Sequence, residues 1–275
     1  MPLRFHKMEA CGNDFVVVYA SSLPTPMTAA TARTLCDRHF GVGADGVLVV
    51  GVNDTVEPPE LRPEARLSMV VWNADGSVSE MCGNGLRCVV RRALEDGRWT
   101  GASGVMASGA GLVPFTVDAE IIRTTLAVPR LGERLVIPGS RIIVGHVVSM
   151  GNPHFIVFDD EQDAPLPDLL EWAPALETRP EFPHRTNVEH VRVFDDRLEA
   201  RVWERGVGET LACGSGACAV VAAARTTGRT TQETSRVLIP GGELSVSWAG
   251  PGTPTHLAGP ARTVFDGTYV HEEQE

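Results

Sequence analysis

Apolar and polar positions along the chain follow two spacings. The stretch "FHKMEACGNDFVVVYA" (5–20) reads as strand, glycine turn and strand, its second arm rich in Val and Phe. "MTAATARTLCDRHFG" (27–41) predicts a helix capped by Thr28 and stopped by Gly41. "VLVV" (47–50) and "LSMVVWN" (67–73) read as strands, with the Pro- and Glu-rich segment 53–66 as a surface excursion between them. After Cys82, the apolar residues Leu86, Val89, Val90, Ala93 and Leu94 fall at helical spacing, and Gly97 marks the end of that helix. From about 104 to 158 the pattern becomes short apolar runs broken by Gly and Pro, a series of strands. "PLPDLLEWAPALE" (165–177) predicts a helix and "EHVRVFDDRLEARVWE" (189–204) a hairpin. "GACAVVAAARTTG" (216–228) is apolar on nearly every side up to Arg225, which predicts a wholly buried helix. Strands follow in "RVLIP", "GELSVSWA" and "RTVFDGTYV". Runs of strands with a few helices, without strict alternation, predict an α+β fold.

The pattern repeats. "MCGNGLRC" (81–88) and "ACGSGACA" (212–219) both set a cysteine before Gly-polar-Gly and then open into a helix. Trp72 and Trp203 stand at the same distance before those cysteines, and "CGNDF" (11–15) is echoed by "GNPHF" (151–155). A duplicated fold explains this, with two domains facing each other across a cleft. The expected halves are 1–117, joined by a returning strand at 264–275, and 118–263.

Composition narrows the function classes. With 24 basic and 35 acidic side chains the net charge is −11 over 275 residues, which argues against nucleic-acid binding. No apolar run reaches membrane-span length, and the N-terminal stretch lacks an apolar signal core, so a cytoplasmic location is expected. In that compartment the six cysteines are expected as thiols.

A cysteine at a helix start has two chemical properties. The unpaired N–H groups and the positive dipole end lower a thiol pKa from about 8.5 toward roughly 3.5–7.5. The same N–H groups seat a carboxylate. Two such helices directed at one cleft would grip one substrate carboxylate and place a sulfur on each face of its α-carbon. One thiolate then removes the α-proton and the opposing thiol returns another, which inverts the centre. Rival chemistries fit less well. Pyridoxal phosphate needs a Schiff-base lysine, and Lys7, the only lysine, lies far in sequence from either cysteine turn. The cysteine spacings are not zinc knuckles. Cys36 and His39, placed mid-helix, pair by coincidence of spacing. "GVGADG" (41–46) matches a dinucleotide fingerprint as a string but follows a helix and precedes a strand, the reverse of the required context.

"GNDF", "WNADGS", "MCGNGLRC", "GNPHFIVF", "RTNVEH" and "WERGVGETLACGSGACA", in this order, resemble the diaminopimelate epimerase family from residue 5 to about 270. The resemblance implies two pseudo-symmetric α/β domains, each a mixed barrel-like sheet around a central helix, with "VFDGTYV" returning to the first. It implies interconversion of LL- and meso-2,6-diaminopimelate on the route to lysine and peptidoglycan, no cofactor, no metal, and a possible homodimer. By this similarity Cys82 and Cys213 match the acid/base pair, and His154 and Glu204 match residues that assist them. Gly83, Asn84, Gly214 and Ser215 match the backbone cradle of the reacting carboxylate. Asn13, Asn73, Asn152, Asn187, Glu204 and Arg205 fall on substrate-contacting positions. The chain departs from some members at Gly46, where a Gln touches substrate.

The residues suit a substrate with two amino-acid head groups. Arg205 can fork onto a distal carboxylate, and Glu204 can accept from an ammonium. Asn13 also reads as a plain turn residue, and His154 as a structural histidine. Cys11, Cys88 and Cys218 read as small packing residues. Two other functions stay open at this point: a cofactor-independent racemase of the same fold acting on proline or histidine, and a thiol redox or metal module.

Overall fold

A computed structural model describes residues 2–62 and 64–270. It divides into two compact units, one ending at Thr124 and taking in the chain again from Gly259, the other Thr125–Ala258.

In the first unit, β1 (Pro2–Ala10) and β2 (Asn13–Tyr19) pair antiparallel. They turn at Cys11 and Gly12, whose φ values of 55° and 82° lie in the left-handed region. Helix α1 (Ala29–Cys36) leads to β3 (Gly46–Val52), parallel to β2. β4 (Leu67–Asn73) runs antiparallel to β3, and the short β5 (Val78–Ser79) folds back on β4. Helix α2 (Gly83–Glu95) then crosses to β6 (Ser103–Ser108), parallel to β4 and continued antiparallel by β7 (Gly111–Asp118) and β8 (Ile121–Thr125).

The second unit repeats that scheme pairing for pairing. β9 (Arg130–Ile137) pairs with β10 (Ile143–Ser149), and β10 with β11 (Pro153–Phe158). Helix α3 (Leu169–Glu177) leads to β12 (Asn187–Val193), parallel to β11. β13 (Leu198–Glu204) is antiparallel to β12, and β14 (Gly208–Thr210) folds back on it. Helix α4 (Gly214–Thr226) crosses to β15 (Thr234–Ile239), parallel to β13 and followed by β16 (Gly242–Trp248) and β17 (Thr255–Gly259). The last strand, β18 (Arg262–Val270), pairs with β1 of the first unit, as the returning strand was expected to do. The end of that expected segment, 271–275, lies outside the described residues.

Each unit therefore holds one inner and one outer helix. In the first, α2 packs against β1, β2, β3, β4 and β18. Phe15, Val17, Leu48 and Met69 meet Leu86, Val89 and Val90 in its core. On the other side of the sheet, Val16, Val18 and Val47 meet Ala32 and Leu35 of α1. β2 is apolar at successive positions because both of its faces are covered, and successive side chains point to opposite faces. In the second unit α4 contacts β10, β11, β12, β13, β15 and β16, and every residue from Gly216 to Ala224 is buried. Phe155, Val157 and Val188 pack against Leu169, Ala173 and Leu176 of α3.

Two details differ from the sequence reading. α1 stops at Cys36, short of Gly41, because the Asp37 carboxylate accepts from the His39 and Phe40 N–H groups and holds a turn there. Cys36 and His39 are thus at a helix end, not mid-helix. The strand "THLAG" was not anticipated, since five residues of mixed polarity carry no clear alternation.

Replacing Leu86 by Ala removes a fully buried side chain from the core around α2. Urea unfolding is expected to show a loss of about 2–5 kcal/mol; a loss below about 1 kcal/mol would mean that the inner helix does not organise this unit.

Candidate active site

The inner helices begin in the same way. Cys82 is the N-cap of α2 with φ −140° and ψ 114°, and its Sγ accepts the Gly85 N–H at 3.3 Å. Cys213 is the N-cap of α4 with φ −124° and ψ 109°, and its Sγ accepts the Gly216 N–H at 3.4 Å. A sulfur thus takes the place usually held by the oxygen of Ser, Thr or Asp. The third residue of each helix is glycine for a steric reason. A Cβ on Gly85 would lie 3.0 Å from Leu48 Cδ2, and one on Gly216 would lie 2.7 Å from Glu189 Oε1. The N–H groups of Gly83, Asn84, Gly214 and Ser215 belong to the first turns, where an α-helix offers no internal acceptor.

Around Cys82, Asn84 is buried and its Oδ1 accepts from Arg87 Nη2 at 2.9 Å. Arg87 is fully buried, its Nε donating to the Pro260 carbonyl at 3.2 Å. Asn13 opens β2, and its Oδ1 is buried with no hydrogen-bond partner among the described residues. Beside it, Asp14 receives Lys7 Nζ and, at 2.8 Å, Arg38 Nη2. Burial pushes the Asp14 carboxyl up, but the Arg38 and Lys7 hydrogen bonds outweigh it and hold the pKa at about 2. Lys7, also bonded to the Gly43 carbonyl, is thus a buried brace for this turn. Asn73 ends β4 with Nδ2 donating to Ser77 Oγ at 2.9 Å. Gly46 lies opposite Asn73 in the β3–β4 register, and a Cβ there would come within 2.6 Å of the Trp72 carbonyl oxygen. A longer side chain at 46 requires the strand to move.

Around Cys213, Ser215 Oγ lies 3.5 Å from Sγ, and Asn152 Nδ2 donates to Ser215 Oγ at 3.4 Å. Asn152 Oδ1 is 3.1 Å from His154 Nε2, and His154 Nδ1 is 2.6 Å from Glu189 Oε1. Asn187 Nδ2 donates to the Pro153 carbonyl at 2.7 Å, and its Oδ1 accepts the Arg205 N–H at 2.9 Å. This side chain clips β11 to the loop after β13. Glu204 Oε1 accepts from Thr210 Oγ1 at 2.5 Å, while the exposed Arg205 donates from Nη1 to the His184 carbonyl at 3.2 Å.

Cys213 is only 9 % exposed. Burial pushes its thiol well above the ordinary value, the carboxylates of Glu204 and Glu189 add to this, and the Ser215 and Gly216 hydrogen bonds only partly oppose it. At Cys213 the shift runs opposite to the depression expected at a helix start, and burial is its largest cause. Cys11, Cys36 and Cys88 are likewise lifted, first by burial.

Arg87 and Glu189 were not singled out from sequence. Both are buried charged residues, but the elements that carry them hold other polar residues, and their Pro260 and His154 partners are distant in sequence. Among the described residues no cluster of three His, Cys, Asp or Glu side chains could hold a metal, and no helix is long and apolar enough to cross a membrane.

Two sheet-wrapped helices, each capped by a cysteine, define an α+β protein built from two like units. A hydroxyproline epimerase from Agrobacterium vitis shares that fold with a TM-score of 0.70 at 14% identity, over 97% of this chain and 92% of its own. The diaminopimelate epimerase family model matches residues 5–125 and 146–264. Diaminopimelate epimerases of Desulforudis audaxviator and Synechocystis sp. are 41% and 40% identical to it, covering 98% and 97% of this chain and 99% of each relative. The chain belongs to the diaminopimelate epimerase family and is an isomerase.

Because burial raises the Cys213 thiol, its alkylation by iodoacetamide in the ligand-free protein is expected to keep accelerating above pH 9, read by peptide mass spectrometry. A plateau reached below pH 8 would show a depressed thiol instead.

Proposed function

We propose that the protein interconverts LL- and meso-2,6-diaminopimelate by exchanging the α-proton between two thiols, without a cofactor, and so serves lysine and peptidoglycan synthesis. The observation that carries this reading is the matched pair of cysteine N-caps, each with a glycine third residue. An acid and a base of the same kind, built twice, suit a reaction whose forward and reverse directions differ only in which face of the carbon loses its proton.

The steps balance as follows. A thiolate takes the α-proton and becomes a thiol, leaving the electron pair on Cα delocalised into the adjacent carboxylate. The second thiol delivers its proton to the opposite face and becomes a thiolate. The two sulfurs thus exchange protonation states with each turnover, and each serves as base for one direction. The mechanism requires that, with substrate bound, the sulfurs stand on opposite faces of one α-carbon. The raised Cys213 thiol supports its entering as the acid in the ligand-free enzyme. First-turn N–H groups at Gly83, Asn84, Gly214 and Ser215 suit the reacting carboxylate, where negative charge grows in the transition state. Asn13, whose buried carbonyl oxygen has no partner among the described residues, suits an ammonium group. Glu204 and the exposed Arg205 guanidinium suit the distal ammonium and carboxylate.

NMR of LL-diaminopimelate in D₂O is the direct test, with single amino acids such as proline and histidine as controls. The parent is expected to wash deuterium into the α-position of diaminopimelate alone. Cys82→Ala and Cys213→Ala are each expected to lose about 10²–10⁴-fold in rate while remaining folded. Either variant at near-parent activity would defeat the two-thiol assignment, and turnover of proline or histidine in preference would redirect the substrate.

A further inference from the structure

Glu189 is 1% exposed, on a strand that faces the start of α4, and its Oε2 is buried with no hydrogen-bond partner among the described residues. Its Oε1 lies 2.7 Å from where a Cβ on Gly216 would be, and Gly216 is the residue whose N–H is donated to Cys213 Sγ. From Glu189 an unbroken series of contacts leads to the sulfur: 2.6 Å to His154 Nδ1, 3.1 Å from His154 Nε2 to Asn152 Oδ1, 3.4 Å from Asn152 Nδ2 to Ser215 Oγ, and 3.5 Å from Ser215 Oγ to Cys213 Sγ.

The series has a direction. An amide oxygen only accepts, so His154 Nε2 carries the hydrogen that meets Asn152 Oδ1. That fixes the amide, whose Nδ2 then donates to Ser215 Oγ. A hydroxyl that accepts from Asn152 is left with its own hydrogen to donate, and the remaining neighbour is Sγ. At the other end, with Nε2 carrying its hydrogen, His154 Nδ1 either accepts the hydrogen of a protonated Glu189 carboxyl or, in a charged ring, donates to the carboxylate, and both arrangements keep Nε2–H turned to Asn152. Without that anchor the buried ring can place its hydrogen on Nδ1, the amide can turn over, and Ser215 can turn its hydrogen away from the sulfur.

We propose that Glu189 is a positioning residue for the reaction: through His154, Asn152 and Ser215 it sets the direction of a hydrogen-bond relay that ends with the Ser215 hydroxyl donating to Cys213 Sγ. The proposal rests on Cys213 being one of the two proton-transferring thiols. It adds no group to the reacting centre. It makes the donor strength felt by the thiolate depend on a carboxyl four contacts away.

Glu189→Gln and Glu189→Ala separate this role from simple charge or packing. Both remove the carboxylate, but Gln can donate from its amide to His154 Nδ1 and so keep the relay's direction. The readout is the alkylation rate of Cys213 at pH 8.5 by peptide mass spectrometry, which needs no substrate and stands even if diaminopimelate is not turned over. Glu189→Gln is expected to react at least as fast as the parent, and Glu189→Ala about fivefold more slowly than Glu189→Gln, a difference equivalent to one well-formed hydrogen bond. In a Ser215→Ala background the gap between the two is expected to close. Equal rates for Gln and Ala, or a gap that persists without Ser215, would overturn the proposal. Should Glu189→Ala fail to fold, Asn152→Ala interrupts the relay beyond an intact Glu189–His154 pair. It is expected to slow Cys213 to the same extent, and a parent-like rate would equally overturn the relay. In the deuterium-exchange assay the loss in Glu189→Ala is expected in kcat with KM unchanged within about twofold, as for a group acting only on the proton-transfer step.

Discussion

A helix buried along most of its length has to find partners for the N–H groups of its first turn, and this need governs both units. Water cannot supply them all, because α2 and α4 are wrapped by sheet. The sequence answers with a sulfur at the N-cap, which takes one N–H, and with small residues next to it, which leave the others open. The same economy that terminates the helix creates a seat for an anion beside a reactive atom. Under the proposed mechanism, capping and chemistry are one interaction: each sulfur that closes a helix start is also the atom that carries the proton.

The duplication is close in topology and loose in detail. Both units run outer helix, parallel strand pair, hairpin, inner helix, then a further parallel strand. Yet α4 is lined by Ala and Val, whereas α2 carries the buried Arg87, which holds Asn84 from beneath. At the start of α4 the Glu189 carboxyl stands against Gly216, where at the start of α2 the apolar Leu48 stands against Gly85. The two thiols thus sit in different electrostatic settings on nearly identical backbones. In the proposed reaction one thiol and one thiolate are needed at the start, and unlike surroundings suit that difference.

Much of this was legible in the chain. The paired cysteine turns, the wholly apolar character of 216–224 and the doubly covered β2 follow from periodicity and glycine placement, since backbone geometry and burial act locally on sequence. What was not legible depends on distant partners. The end of α1 is set by a carboxylate turning back on its own backbone at Asp37, and β17 exists because β16 is there to pair with it. The raised Cys213 thiol was hidden for the same reason: a motif reveals the helix start but not the depth of burial behind it. Asn187 was expected near substrate, and the structure shows its amide joining Pro153 to Arg205, a use that no spacing discloses. Gly46 is clearer in structure than in sequence, because the Trp72 carbonyl occupies the space a side chain would need.

The lone lysine has a consequence for how the molecule carries charge. Lys7 is sealed within a cluster with Asp14 and the Gly43 carbonyl, so apart from histidine every exposed cationic side chain is a guanidinium. Guanidinium groups stay charged to beyond about pH 12. The ion pairs that lace the surface, such as Arg201 with Asp168 and Glu209 or Arg236 with Glu243, therefore persist far into alkaline conditions. A lysine-built surface would start to lose its cations at about pH 10, while this outer electrostatic scaffold stays as it is at neutrality.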